Sequence, residues 1–172
     1  MTDFGLVAVL AACPVVYAGH ILACFTQSSL HRWLGHTPTG GKIYRIHTAS
    51  HHSIYTDRNM ASESYSDYEI SLTPFFLIPV FALCALSSLI LPPVLAAVFT
   101  FSLFASFLAQ IYLHAQYHVS DSWLKRYKWF VRLLRLHTLH HRDQTKNYGL
   151  VNFMPDRIYG TYRAETRSGH DD

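Results

Sequence analysis

Charge is what this chain lacks. Asp, Glu, Lys and Arg supply 15% of its 172 residues, against roughly 25% in an ordinary soluble domain. So few charges cannot wet a globule of this size, which excludes a soluble enzyme as the starting expectation. Charge disappears altogether over the 28 residues from Phe4 to His31 and the 51 residues from Ile70 to Ser120. Cysteine is also scarce. Cys13, Cys24 and Cys84 all lie in apolar stretches and read as small hydrophobes, not as a disulfide framework. With 15% aromatic residues the chain does not have the composition of a disordered one. HExxH, a Gly-rich phosphate loop and a GxSxG elbow are all missing, and with them the signatures of a zinc protease, a nucleotide site and an α/β-hydrolase. A haem held between facing spans is disfavoured because only His20 lies deep in an apolar run, and a metal transporter because the longer run has no polar ligand near its middle.

A hydrocarbon core about 30 Å thick takes roughly 20 helical residues, so the first run can cross once and the second twice. The start, Met1-Thr2-Asp3, carries no basic residue, and the run after it is longer than a signal peptide's. Residues 4–26 therefore read as a retained span that Pro14 can kink and Gly19 lets pack closely. Leu91-Pro92-Pro93 splits the second run into spans at about 70–91 and 94–117, since a proline disfavours helix at the residue before it. Pro74 and Pro79 predict irregularity in the first of these. Four Lys and Arg then fall in 32–69 and ten in 119–172, with none on the opposite side. The positive-inside rule predicts an N-terminus outside and a cytoplasmic C-terminus. The stretch Trp123 to Leu136 mixes bases and aromatics and predicts an amphipathic helix in the headgroup layer, with no nucleic-acid role. The expected fold is an all-α membrane protein, one domain over 1–172, with about three transmembrane helices and a cytoplasmic helical cap.

What the chain has in excess is histidine: twelve, against eleven Asp plus Glu. Ten are clustered, His31 and His36 in HRWLGH, His47, His51 and His52 in HTASHH, His114 and His118 in HAQYH, and His137, His140 and His141 in HTLHH. On an α-helix residues i and i+4 share a face, which predicts the pairs His114 with His118, His137 with His141 and His47 with His51. His140 and His52 then turn about 100° away, toward a second metal. Ten imidazoles are too many for one ion, so the pattern predicts two ions with four or five histidines each. His20 and His170 stand apart and read as hydrogen-bonded or interfacial. Glu63, Asp67, Glu69, Asp121, Asp143 and Gln110 are the candidates to orient ligand rings from outside. Glu69 stands out, because an unpaired charge at the membrane edge is expensive; the other carboxylates read as solvated. Trp33, Tyr112, Tyr117 and Tyr148 lie within a few positions of a ligand and are candidates to line a cavity, or else belt aromatics. A zinc-binding membrane hydrolase or structural subunit is the alternative, since zinc takes the same imidazoles.

HRWLGH, HTASHH, HAQYH and HTLHHRDQTKNYGLVNFMPDRIYGTYR together resemble the fatty acid hydroxylase and sterol desaturase superfamily of membrane di-metal oxygenases. The histidine spacing is shared with acyl desaturases and carotene hydroxylases; Asn147-Tyr148-Gly149 and the run Asp156 to Thr161 favour the hydroxylase branch. The resemblance implies that the ten clustered histidines bind two iron ions, with zinc as another occupant of the purified protein. It implies O2 as co-substrate and attack on an unactivated C–H bond of an acyl chain, sterol or carotenoid, giving an alcohol or an alkene. No catalytic residue is implied beyond the metal centre. Asn147 and Tyr148 would lie near the site, and Asp156, Arg157 and Gly160 would form a supporting turn. The implied partners are membrane lipid and an external electron donor, a ferredoxin or cytochrome b5 type with its reductase. Two departures stand: HTASHH has three residues between its first two histidines where hydroxylases commonly have two, which bears on His47, and Met154-Pro155 replaces a tryptophan.

Overall fold

The computed structural model describes residues 3–65 and 68–164, with side chains from residue 12 onward except those of Tyr68 and Ile70. Among these residues every regular element is helical, and two isolated bridges, Thr56 to Asn59 and Ser62 to Val119, are the only β pairing. Helix α1 (Asp3–Leu30) outruns the expected 4–26 and continues without a break through Pro14. It leads into a π-helical turn, His31–Gly35. After the single turn α2 (Lys42–Tyr44) comes a second π-helical segment, Arg45–His51, and the single turn α3 (His52–Ile54).

A 3-10 turn, Tyr68–Leu72, then brings the chain to α4 (Thr73–Ile90) and α5 (Pro93–Tyr117). Pro74 sits in the first turn of α4, where its missing N–H costs nothing, so it starts the helix and does not distort it. At 1.5 Å per residue α4 and α5 are about 27 and 37 Å long, and both are apolar enough to cross a membrane. Only 11% of the apolar window of α4 is buried, which is not how the core helix of a soluble protein sits. Ile78, Phe81, Leu89, Val94, Phe101 and Leu108 all face outward.

The most extensive helix pairing is α1 against α5, and small residues make it possible. A Cβ on Gly19 would lie 3.0 Å from the Phe99 carbonyl oxygen and from Ser102. Ser102 Oγ donates to the Val16 carbonyl at 2.6 Å, and His20 Nδ1 lies 2.9 Å from Ser106 Oγ. His20 is thus hydrogen-bonded within the helix pair; His170 lies outside the described residues. Ala23, Val80, Phe99, Leu103 and Phe107 form the core among α1, α4 and α5.

The expected helix from Trp123 to Leu136 is instead two elements, a 3-10 turn at Trp123–Arg126 and α6 (Lys128–Arg142), joined through extended Tyr127. Phe130 and Leu124 anchor the break in a second core with Leu113, Tyr117 and Leu150. The last element, α7 (Met154–Tyr159), closes on Gly160 at φ 70°, a conformation glycine adopts without a Cβ penalty.

Candidate metal centre

The ten clustered histidines converge as two groups of five: His31, His36, His47, His52 and His140 in one, His51, His114, His118, His137 and His141 in the other. The α-helical pairs fall as expected, with His114 and His118 at one end of α5 and His137 and His141 on α6, while His140 turns to the other group. The HTASHH segment does not. A π-helix bonds i to i+5 and accommodates one extra residue per turn, so it stacks His47 with His52, whose Nε2 atoms are 3.2 Å apart. His51 goes to the second group. This corrects the α-helical pairing of His47 with His51 and accounts for the additional spacer residue. The other π turn does the same for His31 and His36, also five apart, with Nε2 atoms at 3.2 Å.

Ring orientation follows a common rule. Eight of the ten rings turn Nδ1 outward toward an acceptor, the backbone carbonyls of Tyr148, Met60, Lys146 and Tyr55 for His31, His118, His140 and His141, Thr48 Oγ1 for His36, and the Glu69 carboxylate for His47 and His114 within hydrogen-bond reach and for His51 at 3.6 Å. An Nδ1–H committed in this way leaves Nε2 with a lone pair and no proton. Yet Nε2 of His31 and of His47 lie 2.8 Å apart, and those of His36 and His140 3.0 Å. In the second group His137 Nε2 is 3.1 Å from both His118 Nε2 and His141 Nε2, and His114 Nε2 is buried without a hydrogen-bond partner. Facing lone pairs repel; a shared cation reverses the sign. Metal–imidazole bonds of about 2.1 Å put neighbouring ligand atoms about 3.0 Å apart around an octahedral ion and about 3.4 Å around a tetrahedral one. The spacing and the count of five both fit the higher coordination number, so the donor sets suit two octahedral-type ions.

Electrostatics agree. Burial, together with the neighbouring rings, drives His31, His51, His52, His118, His137 and His140 well below the ordinary imidazole range. His36 and His141 are pushed down to about 3 by burial above all. All eight are therefore neutral near pH 7, as ligands must be. Glu69 behaves in the opposite way: burial works to raise it, but His51, His114 and His47 around it hold it well below the carboxylate range. It stays ionised, receives Tyr65 O–H at 3.1 Å, and ties one ligand of the first group to two of the second.

The remaining sequence candidates divide. Tyr148 is buried, its carbonyl on His31 and its ring against His31, His36 and His140. Asp156 is fully buried and accepts from Tyr148 N, Gly149 N and Thr161 Oγ1, so it holds the loop that carries that carbonyl. Asn147, at φ 54°, spans Leu136 and Arg163 and supports the same loop away from the metals. Glu63 and Asp121 are exposed, Asp143 pairs with Thr145 and Arg163, and Asp67 lies outside the described residues. Gly35, which sequence reasoning passed over, lies close under two ligands: a Cβ there would come within 3.1 Å of the His47 ring and 3.2 Å of the His31 ring, so both rings would have to shift by a few tenths of an ångström.

Below the ligands lies an apolar cavity of about 170 Å³, bounded by His31, His47, His114 and Glu69 at one end and by Leu72, Phe76, Phe107 and Ile111 along its walls. Trp33 and Tyr112 do not line it, contrary to expectation. Trp33 is half exposed against Tyr159, and Tyr112 is on the outer surface, where its hydroxyl accepts from Trp123 Nε1. Tyr117 is buried with its hydroxyl on the Leu150 carbonyl. Gln27, a residue missed from sequence, and Gln110 do line the cavity.

The fatty acid hydroxylase family model matches residues 9–161 of this chain. No curated protein and no solved structure matches it.

Proposed function

The chain belongs to the fatty acid hydroxylase family, hydroxylase-type oxidoreductases, and from that premise we propose that it is an integral membrane, O2-dependent di-iron hydroxylase or desaturase of a lipid-like substrate. The observation that carries the reading is the pair of five-histidine groups set at one end of an apolar cavity. His31, His36, His47, His52 and His140 would hold one iron, and His51, His114, His118, His137 and His141 the other. Iron so held supplies, with O2 and electrons, the oxidation of an unactivated C–H bond.

The chain's own residues do the rest. The carbonyls of Tyr55, Met60, Lys146 and Tyr148 and the carboxylate of Glu69 fix the ring tautomers before metal arrives, which is the ordering that outer partners give a ligand set. Phe76, Phe107 and Ile111 receive the apolar part of the substrate and exclude water from the reacting end. Electrons come from a separate ferredoxin or cytochrome b5 type protein. In the membrane α1 serves as a third span beside α4 and α5, with the N-terminus outside and the histidine groups at the cytoplasmic surface, as the distribution of Lys and Arg supports.

The zinc alternative is disfavoured by five ligands per group at about 3 Å spacing, because structural zinc is almost always four-coordinate. Metal analysis of purified protein, with O2 consumption after reduction, tests the reading. Two irons per chain, O2 uptake and a lipid product heavier by one oxygen, or lighter by two hydrogens for desaturation, are expected. One or no metal, or two zincs with no uptake under reducing conditions, would refute it.

A further inference from the structure

Between α6 and the chain from Val151 into α7 runs a second recess, an open groove of about 530 Å³, within the size range of small-molecule sites. None of the ten clustered histidines lines it. Trp129, Leu133, Val151 and Phe153 give it apolar walls, and each side contributes an arginine, Arg132 from α6 and Arg157 from α7. Both arginines are exposed, and neither has an acidic partner among the described residues. Arg157 is held in place over the Tyr162 ring, with its guanidinium carbon 4.0 Å from the centroid. Among the described residues no acid lines the groove. Asp156, next to Arg157, is buried and turned to Tyr148 N, Gly149 N and Thr161 Oγ1.

Both walls reach the ends of long helices. Roughly twenty residues of α5 counted from Pro93 fill a hydrocarbon core about 30 Å thick and end at Tyr112, whose hydroxyl accepts from Trp123 Nε1 at 3.1 Å. From Trp123 a row of exposed rings continues through Tyr127, with centroids 5.8 Å apart, to Trp129 at the groove, 6.3 Å further on. On the other side Tyr159 of α7 shares a hydrogen bond of 2.8 Å with Ser29 and sets its ring edge-on to Phe25, both in the last two turns of α1. Exposed Trp and Tyr in a row mark the headgroup level of a bilayer, and long basic side chains there extend to the polar layer.

We propose that the groove binds one anionic phospholipid of the adjoining leaflet, with its phosphate between Arg132 and Arg157 and the start of an acyl chain along Leu133, Val151 and Phe153. A guanidinium forks onto phosphate oxygens, and a phosphodiester with a hydroxylated head offers acceptors on more than one side, so the two arginines do not compete for one atom. The apolar walls decide among anions. A soluble phosphate ester leaves Leu133, Val151 and Phe153 uncovered, and an acidic protein gains nothing from the row of rings that leads in from the lipid. A lipid spanning both walls ties α6, which carries His137, His140 and His141, to α7 and through it to the end of α1. The proposal rests on the membrane placement given above and not on the identity of the metal or the reaction.

Full-length protein in an uncharged detergent is titrated with dioleoyl phosphatidylglycerol and with dioleoyl phosphatidylcholine, and bound lipid is counted by native mass spectrometry. The first lipid should bind with about a thirtyfold preference for phosphatidylglycerol, the equivalent of about 2 kcal/mol from two arginines. Arg132→Gln or Arg157→Gln alone should cut the preference to about fivefold, and the two together should abolish it, at unchanged metal content. Arg58→Gln removes an exposed arginine from the 56–59 turn and should leave the preference as in the wild type. An equal loss in Arg58→Gln would show that only net charge is read, and it overturns the site. Equal binding of the two lipids, a preference that survives the double substitution, or glycerol 3-phosphate binding as tightly as the lipid does the same. So does displacement of the bound lipid by an equimolar acidic ferredoxin, which would make the groove a protein-docking face. Protein that stays monodisperse without detergent rejects the membrane placement and the lipid site with it, whereas protein that requires detergent and shows no preference rejects the lipid site alone.

Discussion

Replacing Glu69 by Gln should weaken both metal groups together. The carboxylate accepts from His47 of the first group, lies 3.1 Å from His114 Nδ1 and 3.6 Å from His51 Nδ1 of the second, and also receives Tyr65 O–H. Glutamine keeps the shape but turns one acceptor oxygen into a donor, so at least one ring N–H then faces an N–H₂. Hydrogen bonds to a charged partner contribute about 1.5–3 kcal/mol, and loss of a group that orients a ligand costs 10–100-fold in metal affinity. The expected result is a fall of 10–100-fold in each of two affinities, measured by titrating loaded protein with a chelator and following both release steps. Asp156→Asn is the contrast. It loosens the loop that presents the Tyr148 carbonyl to His31 and should shift the first group only. If Glu69→Gln shifts one release step and leaves the other in place, the shared-carboxylate argument is wrong.

Acid should destabilise the metal-free protein in a defined window. Unfolded histidines take up protons below about pH 6.5, whereas folded His36 and His141 stay neutral down to about 3. The unfolded state thus binds more protons between those values, and stability falls with pH by about 1.4 kcal/mol per pH unit for each such histidine. Melting temperatures in chelator that stay flat from pH 7 to pH 5 would contradict this. Gly35→Ala should selectively weaken the first group, since its Cβ meets the His47 and His31 rings; metal stoichiometry near one is expected, and near two would show that the rings can yield. Deleting the exposed Ala49 shortens HTASHH to a four-residue spacing between its first and last histidines. It should let the π turn relax to α-helix with both metals kept, and loss of metal on deletion would show that the π turn itself is required.

Regular winding made part of the site legible. His114 with His118 and His137 with His141 could be paired from letters alone because α5 and α6 are α-helical there. His47 could not, because nothing in HTASHH announces i to i+5 bonding. The cavity aromatics failed for a related reason: Tyr112 is two residues from His114, about 200° around the helix, so closeness in sequence put it on the opposite face. Gln110, four residues from the same ligand, shares its face, and offset by one turn was the usable signal. Glu69 was legible from its cost, as a charge beside an apolar span with no basic neighbour in sequence.

Four of the outer anchors of the ligand rings are main-chain carbonyls, those of Tyr55, Met60, Lys146 and Tyr148. A carbonyl belongs to the path of the chain and not to any side chain, so the acceptor itself stays in place under substitution, even where the side chain has a second task, as the rings of Tyr55 and Tyr148 do against the ligands. This half of the tautomer-setting shell, unlike Thr48 and Glu69, therefore acts without a side chain of its own. Its vulnerability is to length. A residue gained or lost in the loops around 55–60 or 146–148 would move the oxygens away from the rings, whatever the side chains there.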